Sequence, residues 1–334
     1  MGMRILVIPR RRLGSVLKEV SEALQQAGLS YRITETPTAE EIKAYDMLLV
    51  VGGDGDVLRV FQKMGLESIP VLGVSEADGE SFLTEVGISN LNQALKNIAS
   101  SNYLVEEATR LEVLVDDKTL PPVLNEAALF PTRSASFIEY LLKVDGEVVW
   151  RDYGDGLILA TPTGSTAYAM SAGGPMVHPK AAVFLLVPVN SVDVTRRPLV
   201  INDTSTIEIN EINSRYDCVV ILDGIMRVKV ENGIKAKKAA APAKMIRLRG
   251  DSTTESKIRR KVKLAEELLK MPPSAKLVLK TLEYEGPLGQ REISEKTLLP
   301  PRTTRLALKL LLSKGLIKRT ADLRDARHRL YQIA

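Results

Sequence analysis

The stretch Leu48-Leu49-Val50-Val51-Gly52-Gly53-Asp54-Gly55-Asp56 decides the fold. Its four apolar residues predict a short buried strand. The glycines break that strand, and Val57-Leu58-Arg59-Val60-Phe61 restarts the chain as a helix. A strand that ends in a glycine-rich turn and opens a helix presents bare backbone N–H groups to phosphate. A plain tight turn at a sheet edge uses the same glycines, so they do not choose between the two on their own. Asp54 tilts the reading. A carboxylate beside bound phosphate repels it unless a metal or a transferable proton is involved, so the turn is read as holding a nucleotide triphosphate while Asp54 acts on a hydroxyl.

On the amino-terminal side, residues 4–8 predict a first buried strand. Residues 15–27 predict a helix with Val16, Leu17, Val20, Ala23, Leu24 and Ala27 at helical spacing, stopped by Gly28. A strand at 31–34, a short helix at 39–44, the strand at 47–51 and another at 69–74 continue the alternation. Residues 1–101 therefore read as an α/β N-terminal doubly wound domain, in which ligands sit at the carboxyl ends of strands, where Gly52–Asp56 falls. A polar loop at 75–81 leads into Phe82-Leu83, and Phe82 stands where a ring lines a cleft or fills the core.

The pattern changes near Asn102. Strand-like runs at 111–115, 123–130, 137–144, 147–150, 157–160, 184–189, 207–209 and 218–222 alternate with turns, and helical spacing is nearly absent. Residues 102–243 read as an all-β second domain, with Asp145-Gly146 a strong hairpin signal. The Ala/Lys-rich residues 232–244 read as a flexible connection. A strand at 245–248 then returns to the first domain, so that 244–270 packs on it, and 252–270 reads as a charged helix ended by Met271-Pro272-Pro273.

Residues 271–334 predict a small winged-helix domain. Helices at 276–284, 290–297 and 301–314 precede two strand-like runs, 316–319 and 329–333, separated by a charged loop. The third helix carries Arg302, Thr303, Thr304, Arg305 and Lys309 on its polar side, and the loop adds Arg324 and Arg327. These side chains suit contact with duplex DNA. A docking or dimerisation module with a solvated basic face fits the same residues. Of the 46 Lys+Arg and 41 Asp+Glu, 13 and 6 fall from Met271 onward, net +7, which leaves 33 against 35, net −2, on residues 1–270. Any nucleic-acid argument is thereby confined to this module.

Composition excludes several classes. With 45% apolar and 26% charged residues over 334 positions, the chain is an ordinary globular one of two or three domains. The single Cys218 rules out an intramolecular disulfide framework and suits the cytoplasm. The opening nine residues hold only a brief apolar run before Arg10-Arg11-Arg12, which predicts no signal peptide. The longest apolar run, 181–189, is too short to span a membrane. His178 and His328 stand apart, so no zinc site is expected.

Three further clusters sharpen the opening turn. Asn125-Glu126 interrupts an apolar strand, and adjacent polar residues there cost free energy unless partnered. An amide beside a carboxylate suits an adenine edge or ribose hydroxyls; a pair hydrogen-bonded within the sheet is the alternative. Thr161-Pro162-Thr163-Gly164-Ser165-Thr166-Ala167-Tyr168, followed by Ser171-Ala172-Gly173-Gly174-Pro175, is a hydroxyl-rich loop opening a helix. Its small residues admit a ligand to the backbone, its hydroxyls are donors, and Tyr168 offers a stacking face. Leu222-Asp223-Gly224 places another carboxylate at a strand end, though alone it is only a turn.

In this order and spacing the clusters closely resemble the NAD kinase family (ATP-NAD kinase), of the archaeal type, over residues 3–270. Gly52–Gly55, Asn125-Glu126, 161–168 and 171–175 match that family's motifs. The resemblance implies transfer of the terminal phosphate of ATP, or polyphosphate, to the 2′-hydroxyl of the adenosine ribose of NAD, giving NADP. It makes Asp54 the base, has Gly52, Gly53 and Gly55 shape the phosphate turn, and has a divalent metal, Mg²⁺, bridge the donor phosphates. The NAD site it implies includes Asp54, Gly55, Phe82, Asn125, Glu126, Asp155, Thr166, Ala167, Tyr168, Ser171 and Asp223, with Arg59 a phosphate clamp. It also implies a homo-oligomer, dimer or tetramer.

The chain departs from the family at Asp56, where a Thr is usual, and at Ser75, where an Asn is usual. Glu76, Asp78 and Glu80 make the following loop acidic. Two other readings remain open on the residues: a lipid or small-alcohol kinase sharing the aspartate turn, and a transcription regulator that senses NAD or NADP through a degenerate kinase fold.

Overall fold

The computed structural model describes residues 3–10, 14–76, 81–133, 136–248, 271–285, 287–321 and 329–333. The expected charged helix at 252–270, the acidic Asp78 and Glu80, and the loop residues Arg324 and Arg327 lie outside the described residues. The chain divides into two compact units, Met1–Ser252 and Thr253–Ala334.

The first unit opens with a seven-stranded sheet, in the order Ser30–Ile33, Arg4–Pro9, Met47–Val51, Val71–Ser75, Ala243–Leu248 and Tyr103–Ala108, with Val86–Gly87 beside Val71–Ser75. All neighbours are parallel except the last pair of the main order, which is antiparallel. The strand at 47–51 is buried at every position, as a strand covered on both faces must be. Its alternation assigns the faces. Met47, Leu49 and Val51 pack with Val20 and Leu24 of α1 (Gly14–Gln26), while Leu48 and Val50 pack with Ile42 of α2 (Ala39–Lys43) and Val57, Phe61 and Met64 of α3 (Asp54–Met64).

A helix not expected above, α4 (Leu91–Ala99), joins the first of these faces through Leu91, Ala94, Leu95 and Ile98. Tyr103–Ala108 is a second correction. The pattern of the sequence puts it at the opening of the β-rich region, but it pairs with the returning strand Ala243–Leu248 along its full length in the α/β sheet.

Residues 111–238 form two six-stranded antiparallel sheets. One core holds Val113, Tyr140, Leu142 and Ile209 of the first sheet together with Leu129, Leu157, Phe184 and Val220 of the second, so the sheets pack face to face. The second sheet runs Leu199–Asn202, Val183–Val189, Gly156–Ala160, Glu126–Pro131, Cys218–Leu222 and Met226–Val230. Its outer face is covered by Ala169 of the one-turn helix α5 (Tyr168–Ser171). At the expected hairpin, Asp145 (φ 52°) and Gly146 (φ 85°) are both left-handed, as a type I′ turn requires.

The expected flexible connection at 232–244 is instead largely ordered sheet. Ile234–Lys238 pairs with Leu111–Val115 on one side and Ile207–Ser214 on the other. Only Ile234 and Ala236 face the core, and the lysines point outward, where Lys235 and Lys237 meet Glu208 and Glu112 at 3.3 and 3.1 Å. Beside the crossing back to the first sheet, the buried Arg110 donates to the carbonyls of Gly65, at 2.6 Å, and Ala241, at 3.0 Å. It ties the carboxyl end of α3 to that crossing.

The second unit contains α6 (Pro273–Glu285), α7 (Gln290–Thr297) and α8 (Pro301–Ser313), with a three-stranded sheet in the order Leu288–Gly289, Arg329–Ile333, Ile317–Ala321. The strand at 288–289 is an addition to the expected elements. Ala275, Val278, Leu282, Ile293, Leu308 and Leu311 form this unit's own core. Thr304, expected on a polar face, is buried. It shares a stripe with Ala307, Leu308 and Leu311, the helical spacing that faces inward, and its hydroxyl accepts from Ser294 at 2.8 Å.

Candidate active site

Strand 47–51 runs directly into the amino terminus of α3. The Gly52 N–H donates to the Val74 carbonyl at 2.9 Å, which pins the turn to the end of the neighbouring strand. Gly53 is the N-cap, with extended backbone (φ −100°), and Asp54 opens the first turn. Asp54 reaches across to residues 81–83. Its Oδ1 accepts the Phe82 N–H at 2.9 Å, the Leu83 N–H at 2.8 Å and the Ser81 hydroxyl, while among the described residues Oδ2 accepts only the shared Phe82 N–H, at 3.1 Å. Asp54 and Phe82 are thus brought together. Ser81 belongs to the same arrangement, and sequence reading sees it only as the end of a polar loop; its one signal is a hydroxyl directly before Phe82-Leu83.

Asp56 acquires a purpose here. Its Oδ2 accepts the Gly53 N–H at 3.0 Å and its Oδ1 pairs with Arg59. A carboxylate at the third helical position reaching back to the cap N–H is one limb of a capping box; glycine has no side chain for the other. The charge that Asp56 adds to the turn is offset by Arg59 and by the helix amino terminus. Arg59, expected as a phosphate clamp, is engaged with Asp56. Gly52 has no room for a Cβ because the Asp56 carboxylate lies against it, whereas Gly53 and Gly55 face open space.

A second knot forms around Asp223. Asn125 stands in a bend just before the strand Glu126–Pro131, which corrects the expectation of a pair inside a continuous strand. Asp223 (φ 49°) and Gly224 (φ 69°) make a tight hairpin turn, and the buried Asp223 carboxylate collects three N–H groups. Oδ2 accepts from Leu124 at 3.0 Å, and Oδ1 from Asn125 at 2.7 Å and Glu126 at 3.2 Å. Burial pushes this carboxyl up to about 6, against the opposing pull of those donors. The pairing satisfies the backbone N–H groups of residues 124–126, where the chain enters the strand.

The loop at 161–168 closes the knot from the other side. The Thr161 hydroxyl donates to the Leu124 carbonyl at 2.5 Å, and its N–H donates to the Asn125 carbonyl at 2.9 Å. Gly164 lies so close that a Cβ would overlap the Asn125 backbone. Gln62 of α3 donates to the Leu222 carbonyl at 3.0 Å, and Leu124 packs in the same core as Val57 and Phe61. The knot is therefore seated against the helix that Asp54 opens.

Not every expected site residue converges. Thr161 and Ser165 are fully buried and hydrogen-bond to the chain itself, so their hydroxyls hold the loop. Thr166 and Ala167 are half-buried, Ser171 is exposed, and Tyr168 stacks on Phe130 with ring centroids 5.8 Å apart. Asp155 lies at the opposite end of Gly156–Ala160 from Thr161, six residues or about 20 Å along an extended strand. There it accepts from the Asn190 amide at 2.7 Å. Among the described residues no three His, Cys, Asp or Glu side chains gather as a metal-ligand set.

A model of the ATP-NAD kinase N-terminal domain matches residues 10–103, and one of the ATP-NAD kinase C-terminal domain matches residues 124–248. The chain belongs to the NAD kinase family. It is 37% identical over 208 residues to an NAD kinase of Methanothermobacter thermautotrophicus, covering 62% of this chain and 73% of that one. It is 34% identical over 255 residues to an NAD kinase of Nocardia farcinica, covering 74% and 78%. Its fold matches a crystal structure of an NAD kinase from Archaeoglobus fulgidus in complex with ATP, with a TM-score of 0.67 at 28% identity, over 81% of this chain and all of that one. It also matches yeast NADH kinase complexed with NADH in fold, with a TM-score of 0.69 at 22% identity, over 81% and 89%. The NAD kinase models divide the site between them. Gly52–Asp56 and Phe82 fall in the N-terminal one, while the C-terminal one begins at Leu124, beside Asn125-Glu126, and includes Tyr168 and Asp223.

Proposed function

We propose that this chain is an NAD kinase that transfers the terminal phosphate of ATP, or of polyphosphate, to the 2′-hydroxyl of the adenosine ribose of NAD. The observation that carries the reading is the seating of the Asn125–Asp223–Thr161 knot against the helix whose first residue is Asp54. Asn125 and Glu126 hold the adenosine, with Thr166, Ala167, Tyr168 and Ser171 continuing the dinucleotide site. The open faces of Gly53 and Gly55 receive the donor phosphates at the helix amino terminus.

Asp54 is the base. Its Oδ1 is taken by three donors, which leaves Oδ2 with lone-pair capacity for the acceptor hydroxyl. As that hydroxyl oxygen bonds to the terminal phosphorus, its proton passes to Asp54, and the bond to the departing ADP or shortened polyphosphate breaks. Mg²⁺ would be held mainly by the donor's phosphates with few protein carboxylates, in keeping with the want of a three-ligand cluster among the described residues. Asp56 is committed to Gly53 and Arg59 and Asp54 to the acceptor hydroxyl, so the ion would be held through the donor's phosphates. The ion would offset charge on the transferring phosphate.

The chain is read as an archaeal-type member acting in the cytoplasm as a homodimer or homotetramer. No helix among the described residues is long and apolar enough to cross a membrane. The second unit is read as a winged-helix module, on its three helices and its three-stranded sheet. The test is NADP formation from NAD with ATP or polyphosphate and Mg²⁺. Asp54→Asn should cut turnover by roughly 10²–10⁴-fold with NAD affinity retained. Wild-type turnover in that variant removes Asp54 from the base role.

A further inference from the structure

Some exposed basic side chains find carboxylates, on the first unit Lys18 with Glu22, Arg32 with Glu41, Lys43 with Glu40 and Glu67, and Arg151 with Glu139 and Glu211. On α8 the exposed Arg302, Arg305 and Lys309 pair with no carboxylate among the described residues. The acids of the neighbouring α7 are already committed. Glu292 accepts the Gly289 N–H at 2.7 Å as a cap, and Glu295 pairs with Arg291 at 3.0 Å.

At about 100° per residue the three cations lie within an arc of about 60°, spread over about 10 Å of helix. Leu306, 61% exposed, stands beside them on the helix surface. The opposite side of α8 is fixed in the core by Thr304, Ala307, Leu308 and Leu311, so the face is rigid. Arg319 and Arg329 add exposed charge on adjacent strands of the same unit.

We infer that the outer face of α8 binds duplex DNA, with Arg302, Arg305 and Lys309 on phosphates and base edges and Leu306 against the groove floor. This rests on the module reading of residues 271–334 and is independent of the kinase reading. Charge complementarity selects a polyanion. Shape selects the duplex: a helix about 10–12 Å across fits the B-DNA major groove of about 12 Å, while the major groove of A-form RNA is too narrow to admit it. The exposed leucine has a counterpart in DNA, the thymine methyl group.

The experiment uses the full chain and a fluorescently labelled mixed-sequence duplex of about 30 base pairs, three helical turns, read by anisotropy between about 50 and 200 mM salt. The wild type should bind with an affinity that falls steeply with salt. Replacing Arg302, Arg305 and Lys309 together by Ala should weaken binding by about tenfold or more at low salt. It should also flatten the slope of log affinity against log salt by up to about 2.7, at 0.9 for each of the three side chains that meets a phosphate. NADP formation by the same preparations should be unchanged, which separates this result from the kinase assay, and the melting transition of the second unit should be retained in the triple variant, which shows that its α8 is still folded. Absence of wild-type binding at the lowest salt, wild-type behaviour in the triple variant, tighter binding of an RNA duplex, or equal competition by polyglutamate would each overturn the assignment.

Discussion

Asp223 shows how much one residue can organise beyond its local pattern. In the sequence it is half of an Asp-Gly turn. In the fold it holds the backbone of residues 124–126, almost a hundred positions away, in the posture that presents Asn125 and Glu126. Its carboxyl is pushed by burial up to about 6 from an ordinary value of 3.8, so the folded chain holds this proton more tightly than the unfolded chain. Between about pH 4 and 6 the folded state therefore binds more protons, and this residue's contribution to stability declines as pH rises through that window. Above it, the full cost of the buried charge is present. Asp223→Asn removes that titration. The stability of the wild type relative to the variant should drop by on the order of 2–3 kcal/mol between pH 4 and pH 7 and stay flat above. Denaturant unfolding of both proteins across that range measures it. The amide also cannot accept all three N–H groups, so KM for NAD should rise about tenfold. A pH-independent difference would mean that Asp223 is charged at no cost.

At the scale of elements, two glycines that look alike in sequence do different work. Gly164 lets the loop at 161–168 lie on the Asn125 backbone, while Gly55 sits exposed in the first turn of α3 with open space around it. Gly164→Ala should cost about 1–3 kcal/mol through overpacking and weaken NAD binding. Gly55→Ala should leave the melting temperature level or slightly raised, since alanine favours a helix, and should raise KM for the phosphate donor instead. Thermal melts with steady-state kinetics on both variants separate the cases. The same contrast explains what was legible beforehand. Continuous apolar runs such as 47–51 and 157–160 announced buried strands, and glycine followed by renewed helical spacing announced α3. Ile234–Lys238 did not look like a strand because only two small or medium apolar residues face inward between lysines. In α4 the spacing of Leu91, Ala94, Leu95 and Ile98 is present but diluted by asparagines of low helix propensity. The paired carbonyls and carboxylates of the site join residues far apart in the chain, which no local periodicity encodes.

At the scale of the molecule, the chain carries two separately cored units, and the NAD kinase family models end by residue 248. In the first unit the α/β sheet is completed by a strand from the far end of the β-rich region, Ala243–Leu248, so its two regions share one sheet and should unfold together. The second unit closes its core with its own residues, among them the fully buried Leu311. Calorimetry of the full chain should therefore show two transitions. The family models lie within the first unit, so on the proposed reading saturating NAD should raise only the larger transition, by about 2.7 kcal/mol at a hundredfold excess over Kd. Leu311→Ala should lower only the smaller one, at a cost of about 2–5 kcal/mol, and leave NADP formation at the wild-type rate. Duplex binding should fall in step with that second transition, because the cations of α8 are held in register only while Leu308 and Leu311 hold the helix to its core. A single transition that NAD and Leu311→Ala both move would show instead that the two units fold as one, and loss of kinase turnover in that variant would make the second unit part of the catalytic structure.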